Sequence, residues 1–422
     1  MKNWVMVSLI SLLLISCAAE DGASSKTTEL PPLTTMAELG EVLFHDKNLS
    51  LNRTQSCATC HNPDNGFIDD RLNNASRHNI AAPGSLGDDG ISIGDRNAPS
   101  AGYAAFSREF KLGTRSRVAS QKTSNISDYD GYLEGQFWDG RAATLAEQAG
   151  GPPLNLGEMA MPSKASVVER IKENTRYVEA FETLYTIDIF DSVDVAYTAM
   201  TQAIEKFEET TTFYPFSSKY DRSLTGEYTY DPLGKAKPGK TLLLGSDSTC
   251  AACHQKHELG NKGEIFTGFE YHNIGVPENV ALREINNVNG PDLGLFNNPA
   301  VNGDETQKGK FKVPTLRNIA VTAPYMHNGI FNELETVIKF YQHTKTRALN
   351  RPDTAGNENN PETNLPWAEP EIDMNIEHDI LGKNQNNFDD DEVEQIVCFL
   401  MSLTDQRYEH LLDPAKVQDC GL

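Results

Sequence analysis

Cys57-Ala58-Thr59-Cys60-His61 is repeated in kind, far along the chain, by Cys250-Ala251-Ala252-Cys253-His254. A Cys-x-x-Cys-His can be half of a zinc site, a dithiol redox centre, or the covalent anchor of a c-type haem. Four thiolates on one zinc would have to join pairs separated by most of a domain, far beyond zinc-ribbon spacing. A thioredoxin-like dithiol opens a helix after a strand in a βαβ pattern, and no such alternation surrounds either motif. In c-type attachment the two thiols add to the haem vinyl groups, and the adjacent histidine coordinates the iron. That chemistry needs this order of residues, and the chain supplies it twice. The expectation is two covalently bound c-type haems, on Cys57, Cys60 and His61 and on Cys250, Cys253 and His254.

Covalent haem attachment fits an exported protein, and the beginning of the chain reads that way. Lys2 precedes an apolar run from Trp4 to Ile15, and Leu14, Ile15 and Ser16 lead into Cys17. This is a secretion signal, too short to span a bilayer stably. Small residues around one cysteine predict a lipobox over residues 1–17, with Cys17 as the lipid-anchored first residue and the polar stretch 18–33 as its tether. The alternative is an ordinary signal cut after Ala18 or Ala19. No Asp follows Cys17, which points to the outer membrane, so the expected location is the periplasm or cell surface. Of the remaining cysteines, Cys398 and Cys420 either form a disulfide in that oxidising compartment or leave Cys398 as a small core residue.

The elements that position the motifs read as helices. Thr35 is a plausible N-cap for a helix carrying Met36, Leu39, Val42 and Leu43 on one face. Helical pattern also covers Ser166 to Leu184 and Val193 to Thr210. The stretch DDDEVEQIVCFLMSL opens on acidic residues suited to a helix N-terminus and carries Val393, Ile396, Val397 and Leu400 as its apolar stripe. Alternating strand pattern is scarce. With 422 residues, two domains are expected, since a domain takes roughly 100–200 residues. The polar Pro/Gly stretch Tyr230 to Lys240 reads as a linker. The expected fold is mainly α, with few short strands. Two cytochrome c-like haem domains, 34–230 and 231–422, would be joined at an interface.

Arg96 to Ser100 (RNAPS), Gln136 to Pro152 (QFWDGRAATLAEQAGGP), Gly157 to Met159, Tyr271 to Pro277 (YHNIGVP) and Phe311 to Gly329 (FKVPTLRNIAVTAPYMHNG) together resemble the bacterial di-haem cytochrome c peroxidase and MauG superfamily. The resemblance implies one iron with an open face for hydrogen peroxide, on His61, and a second iron closed by two protein ligands, on His254. Cleaving the O–O bond requires a proton to move from the near oxygen to the departing one, so a carboxylate is wanted beside the open face. The family's candidate is Glu158, with Gln148 beside it. By itself Glu158 would read as a solvated loop carboxylate. Trp138 corresponds to the family's tryptophan between the haems, an electron relay that also serves as core packing. A calcium ion is implied as well, on the side-chain oxygen of Asn97 and the carbonyls of Thr322 and Pro324.

Two departures are informative. Peroxidase members place a Met fourteen residues after the His of the PYxH segment; here that His is His327, and the position holds Tyr341, as in MauG-type proteins. A phenolate lowers the reduction potential of its iron relative to Met. Leu334, Val337, Ile338 and Tyr341 share one helical face, whereas His343 points elsewhere. The competing ligand is Met326, with Tyr341 as plain core. The segment before Arg96, GDDGISIGD, also lacks the His that blocks the peroxide site in peroxidase members, and His78 reads as a surface residue. Insertions at 107–134 and 346–387 reveal no substrate, although the first lies close in sequence to the pocket and is expected to govern access. The net charge of −23 argues against nucleic acid and favours a cationic partner, such as an electron-donor cytochrome or a protein substrate.

Overall fold

The structure is a computed structural model that describes residues 30–76, 81–117, 126–245, 248–256, 263–348, 359–381 and 388–422. Cys17, the signal segment and His78 lie outside these residues. The helix Met36–Phe44 starts where the sequence places it: Thr35 Oγ accepts from the Glu38 N–H at 3.2 Å, and Glu38 returns a carboxylate oxygen to the Thr35 N–H at 3.0 Å. Its inner face buries Leu39, Leu43 and Phe44 completely, at about 2 kcal/mol per side chain. That face crosses the helix Val193–Glu208 at Gly40, where a Cβ would stand 1.9 Å from the Ala203 carbonyl oxygen.

The second motif is framed by an equivalent crossing. Helix Ala236–Leu244 crosses helix Asp390–Met401 at Gly239, where a Cβ would stand 1.7 Å from the Gln395 carbonyl oxygen. The linker expected at Tyr230 to Lys240 is therefore half helix. Pro238 sits in the first turn, where its missing N–H has no intrahelical partner to lose, and Gly239 is required by the close approach. Asp389 caps the partner helix in a capping box with Glu392. Gly239→Ala must push two backbones apart, and overpacking of this kind costs about 1–3 kcal/mol or more. The expected result is a clear fall in the midpoint of thermal unfolding followed by circular dichroism.

The remaining elements are short. The helical pattern at 166–184 is interrupted by Glu173 and Asn174 into Lys164–Lys172 and Thr175–Leu184, with the Asn174 side chain capping the second helix. Strand β1 (Lys111–Arg115) pairs antiparallel with β2 (Tyr129–Leu133), Lys111 opposite Leu133, and β3 (Tyr271–His272) pairs antiparallel with β4 (Phe311–Lys312). The fold is mainly helical with few short strands, as expected. One buried cluster draws on residues 33–213 and another on residues 220–420. Leu33, the last residue of the expected tether, is buried in the first. Cys398 and Cys420 form a disulfide across a Cα separation of 5.3 Å, and Cys398 is at the same time fully buried core.

The insertion at 107–134 does not lie where its sequence position suggests. Its strands carry Arg115 to the Gly268 carbonyl at 2.9 Å and Arg117 to the Ala252 carbonyl at 2.5 Å and to Glu270 at 2.6 Å. Its described arginines reach the second Cys-x-x-Cys-His, because buried guanidinium groups need acceptors and those are found there.

Candidate active site

The short helix Cys57–Cys60 presents its cysteines and His61 to a small cavity. The His61 Nδ1 lies 3.2 Å from the Phe67 carbonyl oxygen, which leaves Nε2 for a metal. Gln148, from the helix Leu145–Ala149, and Glu158, from the loop beyond Pro152–Leu154, line the same cavity as Cys57, Cys60 and His61. The acid and the amide expected from the sequence thus line one pocket. Asn155 Nδ2 donates to Glu158 Oε1 at 2.9 Å. Burial pushes the Glu158 carboxyl above the ordinary range, and the charge of Arg141 pulls partly against it. Arg141 is itself fixed by Asp139 at 2.9 Å and by the Phe137 ring, 3.6 Å away.

The segment before Arg96 folds into a pinned loop beside this cavity. Leu86 bridges Ile93, the Asp88 N–H donates to the Glu158 carbonyl at 2.7 Å, and Gln55 Nε2 donates to the carbonyls of Leu86 and Gly87 at 2.9 and 3.0 Å. No histidine lies in it.

Glu208 also lines the cavity and was not singled out in the sequence, where it reads as one more acid at a helix end. Burial, with Glu205 nearby, pushes its carboxyl up to about 8. An acid raised in the folded state contributes stability that is complete below its unfolded value and is lost as pH rises through the folded one. The stability of the wild type should therefore decline as pH rises from about 4.3 to about 8, by up to a few kcal/mol from this group at about 1.4 kcal/mol per unit. Glu208→Gln should flatten that decline in thermal melts taken across the range.

The second motif repeats the geometry of the first. His254 Nδ1 lies 3.2 Å from the Phe266 carbonyl oxygen, and Phe266, like Phe67, has a left-handed backbone, at φ 52° and 56° respectively. The sequence hid this repeat because the two phenylalanines stand at different distances from their histidines. A larger cavity opens here, lined by Cys250, Cys253, His254, Trp138, Met326 and Tyr341. Leu334, Val337, Ile338 and Tyr341 all face it, so the helix Leu334–Ala348 presents the expected side. Burial pushes the Tyr341 phenol upward, and Met326 reaches the same cavity. The His343 side chain lies outside the described part of that helix.

Asn97 ties these parts together. Its N–H donates to the His327 carbonyl at 2.8 Å, its Nδ2 donates to the Pro324 carbonyl at 2.7 Å, and its own carbonyl accepts from Trp138 Nε1 at 2.8 Å. Thr322 lines the cavity nearby. Behind Cys253, His272 stands between two carboxylates, with Nε2 2.8 Å from Glu270 and Nδ1 3.2 Å from Glu377. Glu377 comes from the second insertion and Arg117 from the first, so both converge on the back of this motif. Nothing in the pattern of either insertion announced that convergence.

Two Cys-x-x-Cys-His helices, each opening on its own cavity and each with its histidine held by a phenylalanine carbonyl, define a di-haem c-type protein. The family profile for di-haem cytochrome c peroxidase matches residues 34–229. The methylamine utilization protein MauG of Paracoccus denitrificans is 42% identical over 391 residues, 92% of each chain. The cytochrome c551 peroxidase of Nitrosomonas europaea is 31% identical over 80% of this chain and 84% of its own. Among solved structures, the diheme peroxidase BthA of Burkholderia thailandensis superposes with a TM-score of 0.71 at 27% identity, covering 92% of this chain and 90% of its own. The chain belongs to the di-haem cytochrome c peroxidase and MauG family, whose members are oxidoreductases carrying two c-type haems.

Proposed function

We propose that this chain is an exported di-haem peroxidase that reduces hydrogen peroxide to water with electrons from a donor such as a c-type cytochrome, with His61 serving the peroxide-binding iron and His254 with Tyr341 serving the electron-transfer iron. The observation that carries this reading is the sharing of one cavity by Glu158, Gln148 and the first Cys-x-x-Cys-His. The cysteines, the exposed face of each histidine and the cavities beside them fit c-type haems. Each haem, when bound, supplies an iron that exchanges electrons. The chain's own work is to place Glu158 where it can take a proton from one peroxide oxygen and deliver it to the other. Gln148 orients the peroxide, and the pinned loop 84–95 carries no histidine to block the approach. Trp138 relays electrons between the two halves, which are read as domains 34–230 and 231–422.

A calcium ion on Asn97, Thr322 and Pro324 is part of the proposal. Its support is the convergence of the Asn97 side chain on the Pro324 carbonyl; the amide nitrogen faces that carbonyl, so ligation requires the amide to turn. Cys17 is proposed as a lipid anchor to the outer membrane. Among the described residues no helix is long and apolar enough to cross a membrane.

Tyr341 and the 42% identity to MauG favour a second reading, in which peroxide is used to oxidise residues of a partner protein. Peroxide turnover with and without a reduced c-type cytochrome separates these. Turnover sustained by the cytochrome supports the peroxidase. Peroxide consumption that modifies a protein substrate while the cytochrome stays reduced supports the second reading. No turnover in either assay leaves a plain electron carrier and ends both.

A further inference from the structure

The larger cavity contains a cation that the reading above leaves unused. Lys312, in β4, is half-buried and lines the cavity together with Cys250, Cys253, His254 and Tyr341. Its backbone N–H donates to the Trp138 carbonyl at 2.8 Å. Its Nζ donates to the Gly135 carbonyl, with Ser107 Oγ 3.4 Å away and the Phe269 ring at 5.8 Å. All of these partners are neutral. Among the described residues no carboxylate forms an ion pair with Lys312. Arg317, in the same cavity, is by contrast saturated by both Asp221 oxygens at 2.6 and 2.8 Å, and Arg96 is held by Asp292 and Asp139 at 2.6 and 2.7 Å.

An ammonium withdrawn from water with no carboxylate in contact is costly, and burial accordingly lowers the Lys312 pKa to about 7, against the pull of the more distant Asp139 and Glu134. The ligand expected in this cavity carries the missing charge. A haem anchored through its vinyl groups has two propionate carboxylates on the edge away from the cysteines, and a buried carboxylate in turn needs a cation.

We propose that Lys312 binds a propionate of the C-terminal haem through Nζ, while its backbone holds the Trp138 carbonyl, so that one residue fixes the edge of the cofactor against the tryptophan. Lys312 is then a positioning residue as well as a binding one. The inference rests on the second motif carrying a haem. With the propionate in place the ammonium has its partner and stays protonated. A retained positive charge near an iron favours the reduced state, so removing it lowers the midpoint potential.

The test compares full-length, haem-loaded wild type with Lys312→Met, Lys312→Gln and Lys312→Arg. Intact mass counts the haems first; a wild type with one haem would overturn the di-haem reading itself, before Lys312 is in question. With two haems in every variant, resonance Raman spectra should show a propionate bending band shifted in Lys312→Met and Lys312→Gln and restored in Lys312→Arg. Spectroelectrochemical titration should show the C-terminal midpoint lowered in the first two and near wild type in the third. Propionate bands and midpoints unchanged in the uncharged variants would overturn the proposal and leave Lys312 as a partner of the Gly135 carbonyl only. Should Lys312→Met fail to mature, Lys312→Gln decides alone, since it keeps an N–H donor while removing the charge.

Discussion

Glu158→Gln is expected to slow peroxide turnover by about 10²–10⁴-fold while leaving both haem spectra close to those of the wild type. The substitution keeps the shape of the side chain and its partner Asn155, which donates at 2.9 Å and can donate equally to the glutamine oxygen. What it removes is the ability to accept and return a proton. The environment is suited to that task. Burial raises the carboxyl pKa and the Arg141 charge restrains the rise, which moves the group toward the pH at which both of its forms are accessible. Steady-state peroxide consumption at several pH values checks this. The loss should be in kcat rather than only in KM, because the proton moves in the chemical step. Turnover that survives Glu158→Gln unchanged would make Glu158 a structural loop residue, held by its backbone carbonyl to Asp88 and by its carboxylate to Asn155.

Much of this site was legible in the sequence because its chemistry dictates residue order. Two thiols and a histidine on one turn leave no freedom, and the i, i+3, i+4, i+7 face of Leu334, Val337, Ile338 and Tyr341 follows from helix geometry. The capping box at Thr35 and Glu38 is equally local. What stayed hidden depends on contacts between distant segments. Gly239 and Pro238 read as a linker because helix propensity penalises both, yet a first-turn proline is tolerated and a glycine is demanded where two backbones nearly touch. The first insertion was expected to govern the peroxide pocket on the ground of sequence proximity. Arg117 instead follows the acceptors Ala252 and Glu270 into the other half of the chain. Glu208 and Lys312 carry no signal in the sequence for a related reason. A charged residue in a sequence is presumed solvated, and only the cavities show that these two are not.

Tyr341→Met should raise the midpoint potential of the C-terminal haem by a sizeable part of the roughly 0.8 V that axial ligands span. It should also change the low-spin ferric spectrum. The phenol already lies in the cavity beside His254, and burial makes an uncoordinated phenolate unfavourable, so ionised Tyr341 would need a positive partner such as an iron. Met326 is the rival, in the same cavity on a left-handed backbone at φ 73°. Met326→Leu should therefore leave spectrum and potential unchanged. If Met326→Leu alters them and Tyr341→Phe does not, the assignment is reversed. A consequence reaches the other cavity. A tyrosinate keeps its iron ferric, and the loop 84–95 carries no histidine to close the peroxide approach, so the resting, fully oxidised protein should react with peroxide without first receiving an electron. Stopped-flow mixing of ferric wild type, Tyr341→Met and His78→Ala with peroxide tests both halves of that statement. Prompt reaction of wild type supports it. A wild type that stays inert until reduced, beside a His78→Ala variant that reacts at once, would show that His78 supplies the block which the loop before Arg96 does not.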